Sequence, residues 1–467
     1  MVMGLSSQPA AVPLSSYLVA TDAPFSAVLE TALGNGLGEV LIVDLAGKLV
    51  GRANVENLRA SVRDGRYTTA TAADVASSTL VGRLEAEVDG SGTVTGVRVA
   101  PTGAFVPVAE PWLGTAEYRN VLDAFLSGWI SSQGEYIRTF ERRFADYCQT
   151  GHGVAVSNGT VAIHLALMAL GIGPGDEVIV PDLTFAATIN TVIMTGAKPV
   201  IVDVDPDTGC MSAETIRPAI TAATRAVIPV HVFGRPAPMT EICELAREHR
   251  LYVIEDCAEA HGARYDGRPV GSFGDISTFS FFANKVITSG EGGICVTNSP
   301  FLADRMRVLR DHGMRPERRY WHEEVGYNYR MTNLQAAVVC AQLDRIDQIL
   351  ATRQRVQDLY VAAMSDIPGV RFLTKLPNRY MPVTWFACAA VPADKRAKLI
   401  DACRKANVDL RPYFHGLSMM PAYARWARPC PVSERLSLEG VNLPTSHLID
   451  EMTVARIAGV FRETLAA

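Results

Sequence analysis

Leu251-Tyr-Val-Ile-Glu-Asp256-Cys-Ala-Glu259-Ala-His261-Gly262, followed by Asp275-Ile-Ser-Thr-Phe-Ser280-Phe-Phe-Ala-Asn-Lys285 and Val286-Ile-Thr-Ser-Gly-Glu-Gly-Gly293, is the stretch whose reading decides the fold. Its first residues form a short apolar run that ends in an acid, the pattern of a buried strand with a carboxylate at its carboxyl end. A second run, Ile276–Phe281, ends just before a lysine and a glycine-rich tail. Further strands are predicted at Gly153–Ser157, Glu177–Val180, Pro199–Val204, Ala226–Val230 and Gly293–Val296, with helical runs such as Val161–Leu170 and Met239–His249 between them. In the latter run Ile242, Leu245, Ala246 and His249 fall on one face. Strands that alternate with helices predict an α/β fold whose central sheet is mostly parallel and covered on both sides. Such sheets bind ligands beyond the carboxyl ends of their strands, where the residues singled out below lie.

The whole chain has 467 residues, 48% hydrophobic and 20% charged, with a net charge of -5. It is long enough for two or three domains, and the charge gives no basic footprint for nucleic acid. The expected division is an N-terminal domain over 1–100, a large domain over 108–345 and a smaller C-terminal α/β domain over 346–467, beginning with a helix at Ala351–Met364. Val99–Pro107, with its prolines, glycine and threonine, is expected to be the linker. The nine cysteines are scattered with no Cys-x-x-Cys, which argues against a zinc site or disulfide framework and for a reduced, cytoplasmic setting. No signal-peptide pattern and no long apolar run is found, so no membrane association is expected.

Several segments carry chemistry. Ser157-Asn158-Gly159-Thr160 joins a strand to a helix, where free amides and the helix dipole seat an anion; Gly159 permits close approach and the Thr160 hydroxyl adds a donor. An ordinary helix cap is the plainer reading of that segment taken alone. Asp256 at the end of a buried strand needs a cation or donors, and a protonated pyridine nitrogen is such a cation. Lys285, flanked by Phe279, Phe281 and Phe282, reads as a Schiff-base lysine, and the pair is the part list of pyridoxal phosphate chemistry. Ser280 is placed to donate to the same phosphate, Phe185 to stack on the ring, and Glu259 to reach the ring hydroxyl or the substrate. Thr332 and Gln335 have capping-box spacing, which fixes Asn328 and Arg330 in the loop before a helix, where anion binding and a structural role are equally open.

Together with Ala109–Gly114, Ser127–Gly134, Phe140–Tyr147 and Val441–Thr445, these segments resemble the DegT family of nucleotide-sugar aminotransferases, over about 108–467. The resemblance implies the aspartate aminotransferase fold (type I) and pyridoxal 5'-phosphate, with Lys285 as the Schiff-base lysine and Asp256 at the ring nitrogen. It also implies Phe185 stacked on the ring, Gly159, Thr160 and Ser280 at the phosphate, and a homodimer in which Asn328 completes the neighbour's site. Arg310–Met314, Arg318–Trp321, Gly326–Ala337 and Leu410–His415 are most similar to the branch that aminates GDP-4-keto-6-deoxymannose at C4, which also has Glu at position 259. Substrate contacts are expected from Trp129, Tyr320, Arg330 and His415. Ala283 stands where that branch usually has Gly. Glu39–Gly51, a strand–turn–strand, and the helical Ala53–Val62 resemble one CBS repeat, which ordinary members of the family lack.

The expected activity is therefore transamination of a nucleotide-linked 4-keto-6-deoxy sugar with L-glutamate as donor, with no resident metal. The rival readings are the same reaction on a UDP- or dTDP-linked sugar, and a non-catalytic regulator that senses a nucleotide through the N-terminal segment.

Overall fold

In a computed structural model the described residues are 14–66, 69–77, 84–99, 105–315, 317–373 and 376–466. They divide into two compact units, residues up to 104 with 112–119, and 105–111 with 120–467. Most of the expected linker, 100–104, lies outside the described residues.

The first unit runs strand Leu18–Ala20, helix Phe25–Gly34, strands Glu39–Val43 and Leu49–Asn54, then helix Val55–Arg63. The three strands lie side by side in chain order, the first pair parallel and the second antiparallel. Gly47, at φ 79°, makes the tight turn that the sequence reading placed there. Asn54 starts the second helix by accepting from the amides of Glu56 and Asn57, while Asn57 returns the bond to the amide of Asn54. Val28, Ala32, Val40, Ile42 and Leu58 fill the core between helices and sheet. A hairpin, Leu84–Val88 with Val94–Val99, follows.

The second unit is built on a seven-stranded sheet. Its strands lie in the order His152–Val156, Gly293–Thr297, Ile276–Ser280, Tyr252–Asp256, Thr224–Val227, Glu177–Pro181 and Lys198–Val202. Only Gly293–Thr297 runs against its neighbours. The inner strands are buried on both faces, which explains why they read as apolar runs without alternation. Helix Gly159–Ala169 is apolar almost all round because it lies between the sheet and helix Pro300–Arg310.

A second, four-stranded antiparallel sheet follows, in the order Arg371–Phe372, Ala387–Ala390, Gly440–Leu443, Arg411–Pro412. Helices Ile346–Met364, Ala393–Lys405 and Glu451–Ala466 cover it, with Tyr360, Leu399, Val441 and Phe461 in its own core. Among the described residues no helix is long and apolar enough to cross a membrane.

Two glycines set how closely the backbones approach at the sheet's carboxyl end. A Cβ on Gly293 would sit 2.4 Å from the carbonyl oxygen of Asn158, and one on Gly159 would sit 2.7 Å from the Cβ of Ser280. The glycine-rich tail after Lys285 thus ends where the turn 158–159 must pass.

Candidate active site

Consecutive residues of a strand point to opposite faces, so Glu255 and Asp256 face different surroundings. Glu255, on one side, is completely enclosed. One carboxylate oxygen accepts from the amides of Phe273 and Gly274 and the hydroxyl of Ser277, all at 2.8 Å. The other accepts from the amide of Gly271 at 2.8 Å and from His231 Nε2 at 3.2 Å. His231 Nδ1 takes the amide proton of Ala237, so this network puts the ring proton on Nε2. Burial pushes the Glu255 carboxyl up, yet the bonds from His231, Gly271 and Gly274 outweigh it and hold the pKa below the usual value. Cys257 Sγ lies near enough for these three residues to resemble a metal cluster. The five donors already occupy the carboxylate, which makes this a structural anchor.

Asp256, on the other side, is buried and has two donors among the described residues, the hydroxyl of Thr188 at 2.9 Å and the amide of Ala258 at 3.2 Å. Desolvation raises its pKa, against those bonds and the charge of Lys285. Glu259 also faces the cleft. One of its oxygens accepts the amide of Phe233 at 2.7 Å, and the other lies 3.8 Å from Lys285 Nζ. Burial pushes its carboxyl up to about 7. Phe233 makes that bond from a left-handed backbone, φ 53°, unusual for an aromatic residue.

Lys285 follows the Ile276–Ser280 strand in a turn closed by its amide on the carbonyl of Phe282. Its side chain is 11% exposed, with the amine 4.1 Å from the ring centroid of Trp385. Desolvation lowers its pKa, offset by Glu259 and Asp256, so burial moves the amine toward its neutral, nucleophilic form.

Around these groups opens a cleft of about 600 Å³, into which Gly159, Thr160, Phe185, Asp256, Glu259, Ser280 and Lys285 all turn. At one end is the first turn of helix Gly159–Ala169, whose cap, Asn158, accepts the amide of Val161 on its side chain and that of Ala162 on its carbonyl. The amides of Gly159 and Thr160 are thus left for an anion. Phe185 is 58% exposed, its ring 5.8 Å from that of Phe414.

Five of the expected residues do not line this cleft. Tyr320 and Arg330 line a second one of about 750 Å³ with Arg307 and His312. Arg330 there pairs with Asp311 at 2.9 Å and donates to Asn328 at 3.1 Å. Trp129 borders a third, of about 350 Å³, with Tyr136 and Asn333. His415 is exposed beside Phe414, itself part of the Lys285 cleft. Conversely, Trp385, Arg411, Phe414 and Asn442 line the Lys285 cleft without having been singled out. The buried bond from Thr188 to Asp256 lies behind that lining, and its only signal in the sequence is a hydroxyl three residues after Phe185, one helical turn on.

The family model for the DegT/DnrJ/EryC1/StrS aminotransferase family matches residues 112–462. The chain is 45% identical over 368 residues to GDP-perosamine synthase of Caulobacter vibrioides, covering 77% of this chain and 98% of that one. It is 43% identical over 342 residues to GDP-perosamine synthase of Escherichia coli O157:H7, covering 73% and 93%. Among solved structures, Spr1654 of Streptococcus pneumoniae in its PLP form superposes with a TM-score of 0.74 at 26% identity, over 78% of this chain and 99% of that one.

Proposed function

The chain belongs to the DegT/DnrJ/EryC1/StrS aminotransferase family and is a pyridoxal phosphate-dependent aminotransferase of fold type I, and from that premise we propose that it aminates C4 of a GDP-linked 4-keto-6-deoxy sugar, as GDP-perosamine synthase does, with L-glutamate as donor. The observation that carries the assignment to this cleft is the buried amine of Lys285, 3.8 Å from Glu259 and within the field of Asp256, beside a helix start with free amides.

The residues fit the cofactor on their own chemistry. Asp256 is a buried carboxylate with two donors and room for a cationic partner; the absent Cβ of Gly159 leaves a cradle against Ser280. When bound, pyridoxal phosphate supplies an electron sink for the negative charge that develops at carbon as a proton leaves. Asp256 would keep the ring nitrogen cationic, while the amides of Gly159 and Thr160 with the hydroxyls of Thr160 and Ser280 would hold the phosphate. Phe185 would cover the ring face and Glu259 would meet its hydroxyl. Lys285 Nζ would take the proton from the donor's α-carbon and, on the opposite pass, deliver one to C4 of the sugar, a role suited to an amine whose pKa burial lowers. Trp385 and Phe414 exclude water from the amine.

Asn328 lies outside this chain's own cleft, which supports the reading that it serves a second copy in a homodimer, together with substrate contacts from Trp129, Tyr320, Arg330 and His415. Nine free cysteines support a cytoplasmic setting. The strand–helix–strand–strand–helix order of the first unit supports its reading as one CBS-type repeat with a regulatory role; unchanged kinetics and assembly after deletion of residues 1–104 would remove that role.

The direct test incubates the purified protein with glutamate and a panel of GDP-, UDP- and dTDP-linked keto sugars and identifies products by mass. Preferred amination of a UDP- or dTDP-linked sugar would overturn the GDP assignment, and absence of any aminated sugar would overturn the reading altogether.

A further inference from the structure

Arg353, on helix Ile346–Met364, is 7% exposed, and no carboxylate pairs with it among the described residues. Burial alone lowers its pKa, to about 10, which leaves it charged at neutral pH. A buried unpaired cation is costly relative to an apolar side chain of similar size. What the guanidinium touches accounts for its presence. Nη1 donates to the carbonyl of Trp385 at 2.7 Å, and Nη2 donates to the carbonyl of Lys285 at 3.3 Å. The hydroxyl of Thr445 donates to the same Trp385 carbonyl at 3.0 Å. The indole in turn donates from Nε1 to the carbonyl of Asn284 at 2.8 Å, and its ring stands 4.1 Å from Lys285 Nζ.

These bonds close a loop. The residue before the lysine holds the indole, the guanidinium holds the backbone of both the lysine and the tryptophan, and the amine meets the indole face. A planar fork with donors at fixed angles spans two carbonyls in a way that one ammonium cannot. We propose that Arg353 is a positioning residue of the aminotransferase site, a clip that joins the peptide carbonyls of Lys285 and Trp385 and so fixes the lysine amine against the indole face. This rests on the reading of Lys285 as the reacting amine. The other charged groups facing the amine are Glu259 and Asp256. His261, behind them, is fully buried, and its pKa is lowered to about 3, by desolvation first and then by the charges of Lys285 and Arg353. With those carboxylates already compensating the lysine, the clip acts through geometry.

The test uses full-chain holoenzyme of the parent, R353M and R353K. Borohydride reduction and peptide mapping of the parent come first: no label on Lys285 refutes the reading beneath the proposal, whereas a label leaves the clip itself on trial. With the label present, R353M at full cofactor content is expected to lose about ten- to a hundredfold in kcat, with KM for both substrates within about twofold. The visible circular dichroism of its bound cofactor, which reports ring asymmetry, is expected to weaken. R353K, which reaches one carbonyl, is expected to recover part of both. A lowered thermal midpoint with parental kcat and visible dichroism per bound cofactor would instead show a purely structural arginine and overturn the proposal. Should R353M fail to fold, W385F serves in its place: a comparable fall in kcat, not deepened in the R353K/W385F double variant, supports the clip, and parental kcat in W385F refutes it.

Discussion

The two sides of strand Tyr252–Asp256 differ in one respect that separates scaffold from site. Beneath it, Glu255 has five donors and the lowered pKa of a carboxylate that is fully met. Above it, Asp256 and Glu259 are as deeply buried, yet each accepts too little to offset burial, and both pKa values are raised. A fold sustains an under-partnered buried acid only where something else supports it, so the shortfall fits the cationic ligand proposed for this place. Adjacent residues of one strand thus carry opposite assignments, and donor number, rather than burial, tells them apart.

Removing the amine is the harshest trial of that contrast. K285A is expected to lose turnover by about 10⁴-fold or to background, measured by glutamate-dependent sugar amination, because the proton carrier itself is gone. D256N comes next, about 10²- to 10³-fold in kcat with weaker retention of cofactor on dialysis and an unchanged fold by circular dichroism. E255Q should invert that pattern. Its amide would turn donors toward donors, destabilising the fold by about 3 kcal/mol in urea unfolding while kcat per folded molecule stays within about twofold. If E255Q cost more in kcat than D256N, the division of roles between the two faces would be wrong.

The smallest effect concerns pH. The Glu259 carboxyl rises from 4.5 to about 7 on folding, so the folded chain keeps a proton that the unfolded chain releases in that window. Stability of the cofactor-free protein therefore falls as pH rises from about 4.5 to about 7 and levels off above it. E259Q should flatten this slope in denaturant titrations at several pH values. An unchanged slope would assign the window to another group.

The strand carrying Asp256 and the lysine that follows the next strand were legible because each sits at the end of a short apolar run. The contrast between Glu255 and Asp256 was not, since two adjacent acids look alike until the amides of 271–274 are folded beneath one of them. Trp385 was invisible for another reason: its bond to Asn284 spans 101 positions, and no local pattern reports such a distance. Strand limits moved by a residue or two where pairing decides them, as at His152, which the sequence reading left out and which pairs with Thr297. The helix expected at Ala351–Met364 begins earlier, at Ile346, with Ile346 and Ile349 already buried in its first turn.

Phe233 has one more consequence. It grips Glu259 through its peptide nitrogen, and every residue type except proline offers that same grip. Replacing the aromatic side chain would therefore disturb its packing on Tyr413 and Phe414 while leaving the donor to the acid beside the lysine in place. Glycine there would even take up the positive φ without penalty. Only proline, which can neither donate nor adopt that twist, is barred outright, so the anchor of this carboxylate is written in the path of the chain and hardly at all in its letters.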